Sequence, residues 1–223
     1  MKAPPRGRAH GVSARAPGPG GEVRIIGGQW KRSKLPVPDR PGLRPTPDRV
    51  RETLFNWLGQ DLSGMTCLDA FAGSGALGLE AASRGAARVF LIERDPTLAQ
   101  ALRRHAARLG ASHVEVLQTD AVRWMAQAAG QRWGVIFLDP PFGDAASGWN
   151  ESLFQRALQA AVGLLADDGF LYLEAPRAWT AAQCQPLGLA LHRQGKAGMV
   201  HFHLLVRDAS YARPEGPGDN LTP

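Results

Sequence analysis

Met65-Thr-Cys-Leu-Asp-Ala-Phe-Ala-Gly-Ser-Gly-Ala-Leu-Gly78 is the stretch on which the reading of this chain turns. An apolar run ends at Asp69, glycines make a turn, and small residues predict a helix from Ala76. This is the strand–loop–helix corner at which α/β proteins hold a nucleoside or a dinucleotide.

Outward from that corner, short apolar runs alternate with helical periodicity. Strands are predicted at 65–69, 88–92, 113–117, 133–138 and 169–174, and helices at 76–84, 96–109, 120–129 and 150–165. Runs such as Val89-Phe-Leu-Ile92 and Val135-Ile-Phe-Leu138 are apolar throughout, as strands covered by helices on both faces must be. Asp167-Asp-Gly169 predicts a turn before the fifth strand. Leu187–His192 and Met199–Val206, around Gln194-Gly-Lys-Ala-Gly198, predict a β-hairpin. The fold class is therefore α/β: a mostly parallel, doubly wound sheet ending in an antiparallel hairpin. The predicted organisation is an extension over 1–21, one domain over 22–208 (hairpin and helix in 22–60, core in 61–208) and a frayed tail over 209–223.

The formal net charge of +6 is unevenly placed. Residues 1–60 hold 12 Lys/Arg against 4 Asp/Glu, and the rest hold 14 against 16. Such polarity suits a phosphate-rich partner, because cationic side chains that neutralise phosphates release condensed counterions. Residues 1–21, rich in Pro, Gly, Ala and Arg, offer too little apolar surface to offset the entropy of ordering. They lack the apolar core of a secretory signal, although an Arg-rich, acid-poor start is also the composition of an organellar transit peptide. No apolar run approaches the roughly 20 residues of a membrane-spanning helix. Cys67 and Cys184 have no His or Cys at metal-ligand spacing, so no metal site is expected and a reducing, cytoplasmic compartment is.

Two N-terminal stretches are candidates for RNA contact. In Gln29-Trp-Lys-Arg-Ser-Lys34, Trp30 lies among Lys31, Arg32 and Lys34: an exposed ring there stacks on a base, whereas a packed one closes a hairpin edge. In Arg44-Pro-Thr-Pro-Asp-Arg-Val-Arg-Glu-Thr-Leu-Phe-Asn-Trp-Leu58, Thr46 is predicted as helix N-cap, with Pro47 in the first helical position. Val50, Leu54, Trp57 and Leu58 form one buried stripe, and Arg49, Arg51 and Asn56 project elsewhere. Arg44, Thr46 and Arg49 join the candidate RNA contacts.

The spacing Gly73-Ser-Gly75-Ala-Leu-Gly78, with Glu93 20 residues after Gly73, fits both a nicotinamide dinucleotide and S-adenosylmethionine. Two features favour the sulfonium cofactor. Asp69 suits a cationic amino group and would repel a pyrophosphate. Asp120-Ala121 follows the third strand, where an acceptor reaches the adenine amine. The candidate cofactor residues are thus Asp69, Phe71, Ala72, Gly73, Ser74, Gly75, Leu77, Glu93, Arg94, Asp120 and Ala121.

Ile136-Phe-Leu-Asp-Pro-Pro-Phe142 is the most specific signal. A strand ends in an acid, two prolines that donate no N–H, and an aromatic ring. An exocyclic amine attacking a methyl sulfonium needs acceptors around it. Asp139 and the Pro140 carbonyl supply them, Pro141 stiffens the turn, and Phe142 stacks on the base.

Asp139-Pro-Pro-Phe142 resembles the Asp/Asn/Ser-Pro-Pro-Tyr/Phe motif of amino-methyltransferases acting on exocyclic nitrogens of nucleic-acid bases. Leu68–Glu80 resembles their S-adenosylmethionine motif. Arg24-Ile-Ile-Gly-Gly28, the 44–58 stretch, Glu93-Arg-Asp95 and the Lys196-Ala-Gly hairpin narrow the resemblance to the RsmD family of small-subunit rRNA guanine-N2 methyltransferases, over residues 23–207. Relatives usually carry Asn in the helix after Glu-Arg-Asp, and this chain reads Leu98-Ala-Gln-Ala-Leu-Arg-Arg-His-Ala-Ala107 there. The resemblance implies a Rossmann-like methyltransferase making 2-methylguanine in 16S rRNA of an assembling 30S subunit. By the same resemblance, Asp69 and Gly73–Gly75 hold the methionine part, Glu93 the ribose, Asp120 the adenine, and Asp139–Phe142 the guanine. The motif alone also admits amino-methylation of DNA adenine or cytosine, or of another RNA. A nucleotide-binding module without transfer is a reading that an intact Asp139-Pro-Pro-Phe142 argues against. Nothing in the sequence demands a second copy, so a monomer is expected.

Overall fold

The computed structural model describes residues 21–210, apart from 41–42, 44, 129 and 144–148. The expected extension over 1–20, the tail beyond 210 and Arg44 lie outside the described residues. A small hairpin, β1 (Glu22–Arg24) and β2 (Lys34–Pro36), is followed by α1 (Asp48–Trp57). The core then runs β3 (Thr66–Asp69), α2 (Gly78–Ser83), β4 (Arg88–Ile92), α3 (Pro96–Leu109), β5 (Val114–Leu117), α4 (Ala121–Gln127), β6 (Trp133–Leu138), α5 (Glu151–Leu164) and β7 (Leu165–Ala175). A short α6 (Ala181–Cys184) leads to β8 (Leu189–Ala197) and β9 (Val200–Arg207). The sheet order is β5-β4-β3-β6-β7-β9-β8, parallel through β7 and antiparallel for the last two strands. This is the doubly wound, Rossmann-like architecture predicted.

Alternation along the strands sorts side chains between two cores. Cys67, Val89, Leu91, Val135, Phe137 and Tyr172 pack under α1, α2, α3 and the small hairpin. Leu68, Phe90, Ile92, Ile136, Leu138 and Leu171 pack under α4 and α5. In the same register, Asp69, Asp139 and Glu174 belong to the first face.

The N-terminal unit is fastened to α2 by a buried polar cluster. Arg51, 1% exposed, meets Glu80, 0% exposed, at 3.3 Å, and Arg84 reaches the same carboxylate at 2.8 Å. Glu80 also accepts the Ile26 N–H at 2.8 Å. Arg51 further donates to the carbonyl of Arg24 (2.9 Å) and to Asp48. A buried charge persists only when its hydrogen-bonding capacity is met, and here it is. Arg51 thus does not project outward as expected, and Phe55 takes a place in the buried stripe while Trp57 is half-buried.

Other differences from expectation have local causes. The N-cap of α1 is Pro47, with extended backbone (ψ 147°) and no side-chain cap, and the Thr46 hydroxyl is engaged with Glu174 instead. Helix α2 begins at Gly78 rather than Ala76. Residues 167–169 continue β7 instead of making a turn. Gly169 permits this: a Cβ there would lie 2.9 Å from the Trp133 carbonyl oxygen, so only glycine lets the two strands approach. Gly195, expected in the hairpin loop, instead lies within β8 opposite Phe202, whose ring fills the space of the missing Cβ. The turn is Gly198–Met199, with Gly198 at φ +60°.

Candidate active site

The corner after β3 is built on the glycines. Gly73 (φ +50°) and Gly75 (φ +80°) adopt left-handed backbone, which lets the chain fold back from the strand. Gly78 serves close packing: a Cβ there would fall 2.1 Å from Leu91 Cδ2. Glu93, at the end of β4, accepts the Gly73 N–H (2.9 Å) and the Asp95 N–H (2.7 Å), and so ties the glycine turn to the neighbouring strand. Asp95 caps α3 through the N–H groups of Thr97 and Leu98.

Asp69 is 1% exposed. Its Oδ2 accepts the Gly78 N–H at 2.9 Å, while its Oδ1 is buried without a full hydrogen bond among the described residues. Burial pushes the carboxyl up to about 7; Gly78 and Phe71 N–H groups pull against this, and the Glu93 and Glu174 charges add to it. An orphaned buried acceptor beside a left-handed glycine turn fits the cationic amino group of S-adenosylmethionine. Around it Phe71 is half-buried, and Ala72, Ser74 and Leu77 are buried in the loop. Arg94 is exposed next to Glu93. Asp120, exposed, caps α4 by accepting the Arg123 N–H at 2.9 Å, and Ala121 is buried behind it.

On the strand next to β3, Asp139 follows β6. Cys67 pairs with Val135 and Leu138 pairs with Leu173, which sets the ends of β3, β6 and β7 side by side. Asp139 is half-buried and its carboxyl is raised well above the usual range, by burial first and then by the charges of Glu174 and Asp69. Pro140 is buried and Pro141 exposed. Phe142 is half-buried, its ring 6.0 Å from Phe154 in a tilted contact. The motif and the glycine corner therefore meet at one end of the sheet.

Two residues of this cluster, Glu174 and Tyr172, escaped the sequence reading, which gave Thr46 only as a helix cap and RNA contact. Glu174, 3% exposed, accepts the Tyr172 hydroxyl at 2.9 Å and the Thr46 hydroxyl. Burial raises its carboxyl, and the two hydroxyl donors partly offset the rise. The signal was available: Leu173-Glu-Ala175 ends a strand with an acid, as Asp69 and Asp139 do.

The candidate RNA contacts differ in exposure. Lys31, Arg32, Lys34 and Arg49 are exposed. Trp30 is half-buried and stacks on His113, ring centroids 5.8 Å apart, so it closes the hairpin against the core. Thr46 is 5% exposed and faces the carboxylates rather than solvent. Among the described residues no group of three or more His, Cys, Asp and Glu side chains is arranged to hold a metal, and no helix is long and apolar enough to cross a membrane.

Comparison with known proteins agrees with this geometry. The chain is similar to the ribosomal RNA small subunit methyltransferase D of Escherichia coli K12, at 44% identity over 191 residues, which covers 85% of this chain and 92% of that one. The solved structure of yhhF from Escherichia coli superposes with a TM-score of 0.71 at 41% identity, over 85% of this chain and 99% of that chain. A Haemophilus influenzae chain of solved structure gives 0.67 at 34% identity, over 83% and 98%. The family model described as Conserved hypothetical protein 95 matches residues 23–206. With a methyltransferase fold, a glycine corner and Asp139-Pro-Pro-Phe142 at one sheet end, the chain belongs to the Conserved hypothetical protein 95, or RsmD, family.

Proposed function

We propose that this protein transfers the methyl group of S-adenosylmethionine to the exocyclic N2 of a guanine in small-subunit (16S) rRNA, acting as a cytoplasmic monomer on an assembling 30S particle. The observation that carries the reading is the convergence of Asp69, with its unfilled Oδ1, and Asp139-Pro-Pro-Phe142 at one end of the sheet. The substrate class follows the similarity to ribosomal RNA small subunit methyltransferase D.

The cofactor, when bound, supplies an electrophilic methyl group on a positively charged sulfur. Asp69 Oδ1 accepts its ammonium group, Glu93 its ribose hydroxyls and Asp120 its adenine amine. Both Glu93 oxygens already accept a backbone N–H, and each keeps a second lone pair for a hydroxyl. The Asp139 carboxylate and the Pro140 carbonyl accept the two N–H bonds of the target amine and aim its lone pair. Phe142 stacks on the base. Positive charge then develops on nitrogen against acceptors already in place, so positioning and electrostatics do most of the catalysis.

The test is transfer of tritiated methyl groups to 16S rRNA, free and in 30S particles lacking the modification, followed by nucleoside analysis. Labelled 2-methylguanine is expected. Labelled 6-methyladenine would replace this assignment with an adenine-directed reaction.

A further inference from the structure

Glu174 belongs to none of the groups assigned above, yet it lies beside Asp139 in the acidic cluster. Its strand neighbour Leu173 pairs in parallel with Leu138, so the next residues along, Glu174 and Asp139, are side by side at the ends of β7 and β6. Its carboxylate is held from two directions. Tyr172, two residues back on the same face of β7, donates its hydroxyl at 2.9 Å, and Thr46, from the segment preceding α1, donates its own. Asp139 has no such described donors, and no cation is placed against either carboxyl by any described ion pair. Two carboxyls so close do not ionise independently.

We propose that Glu174 is a positioning residue for methyl transfer: fixed by the Tyr172 and Thr46 hydroxyls, it sets a carboxylate beside Asp139 and favours capture, by Asp139, of the proton that the methylated amine releases. This rests on the amino-methyltransfer reading of the site. As the N–C bond forms, the S–C bond breaks and its electron pair stays on sulfur, which becomes neutral. The nitrogen gains a positive charge and loses one proton, which passes to the Asp139 carboxylate and makes it a carboxylic acid. A second negative charge nearby makes that acid the favoured form, as like charges do.

Other ionisable groups face the pair and set the background. Asp69 on β3 adds negative charge, and Glu93 on β4 acts on Asp69. Arg51, whose Nε donates to the Thr46 carbonyl, shares its charge with Asp48 and Glu80. On β9, His201 lies opposite Ala175, and His203 is engaged with the Leu173 carbonyl and the Trp179 N–H. Among the described ionisable residues of the neighbouring strand β7, Glu174 is the one positioned next to Asp139 in register.

The experiment is single-turnover transfer to 30S particles lacking the modification, from about pH 5 to about pH 9, with cofactor affinity measured on the same preparations. Glu174→Gln is expected to move the acid-side inflection of kcat to lower pH and to lower the plateau about tenfold, with cofactor Kd unchanged. Glu174→Asp, which keeps the charge, is expected to hold the inflection near that of the parent. A parental inflection and plateau in Glu174→Gln overturns the proposal. If Glu174→Gln fails to fold, Tyr172→Phe removes one donor and weakens the hold on the Glu174 charge. It is expected to move the inflection in the same direction, and a parental profile overturns the proposal there too. Asp139→Asn separates the two layers: parental transfer in that variant sinks the amino-methyltransfer reading itself. An inactive Asp139→Asn together with an unaltered Glu174→Gln profile sinks only the role of Glu174.

Discussion

Gly78 donates its backbone N–H to Asp69 Oδ2 at 2.9 Å, across the corner where β3 ends and α2 begins. The donor reaches that acceptor because residue 78 has no side chain; a Cβ would meet Leu91 Cδ2 at 2.1 Å and Asp69 Cβ at 3.0 Å. Gly78→Ala is therefore expected to push α2 from the sheet and to turn Asp69 away from the position in which it is proposed to hold the cofactor amine. Overpacking of this kind costs about 1–3 kcal/mol. Urea denaturation reads the loss of stability, and equilibrium binding of S-adenosylmethionine is expected to weaken in parallel.

The buried Arg51–Glu80 pair joins the N-terminal unit to the core. Removing one partner leaves a buried charge short of its counterion, and such losses amount to about 3–5 kcal/mol. Arg51→Met fills similar volume without charge. Its unfolding free energy should fall by up to that amount, moderated because Arg84 still holds Glu80. Proteolysis is expected to cut first in the segment joining β2 to α1.

Stability should also carry a pH signature. An acid whose folded value exceeds its unfolded value binds more protons in the folded state, so it withdraws stability as pH rises through that window. For Asp69 the window runs from 3.8 to about 7. Asp139 and Glu174 act in the same sense, whereas the lowered His105 and His203 act in the opposite one near their ordinary value of 6.5. The difference between the parent and Asp69→Asn reads this group together with its effect on Asp139. Between about pH 4 and about pH 7 that difference is expected to move against the parent by at most about 4 kcal/mol, and then to level. Chemical denaturation at a series of pH values measures it.

Lys31, Arg32 and Arg49 are exposed cations that form no ion pair among the described residues, in a quarter of the chain that carries the positive excess. Replacing Lys31 and Arg32 by Ala should reduce the salt dependence of 16S rRNA binding, each phosphate contact contributing about 0.7–0.9 to the logarithmic slope. Cofactor affinity should not change. Deletion of residues 1–21 is expected to act in the same way, and an unaltered slope would remove that segment from the RNA interface.

The core was legible because its signals are local. Apolar runs and helical periods placed β4, α3 and β6 at their observed bounds, and strand ends announced Asp69, Glu93, Asp120 and Asp139. What escaped depends on distant partners. Arg51 reads as a surface residue of an amphipathic helix, and partners remote in sequence, Glu80 29 residues away and the Arg24 carbonyl, make its burial possible. Thr46 has the composition of a helix cap, but its hydroxyl goes to Glu174, on a strand far along the chain. Gly169 and Gly195 look like turn residues; Trp133 and Phe202, respectively, make them strand residues. Trp30 among cations satisfied two readings, and the ring of His113 decided its packing.

Asp139, at the end of β6, is proposed to take the target amine while Asp69, at the end of β3, holds the cofactor. Asp139→Ala tests this most directly, in a paired measurement of S-adenosylmethionine binding by calorimetry and methyl transfer to 30S particles lacking the modification. Abolished transfer with parental cofactor affinity is the predicted result. Substantial turnover by Asp139→Ala would contradict it.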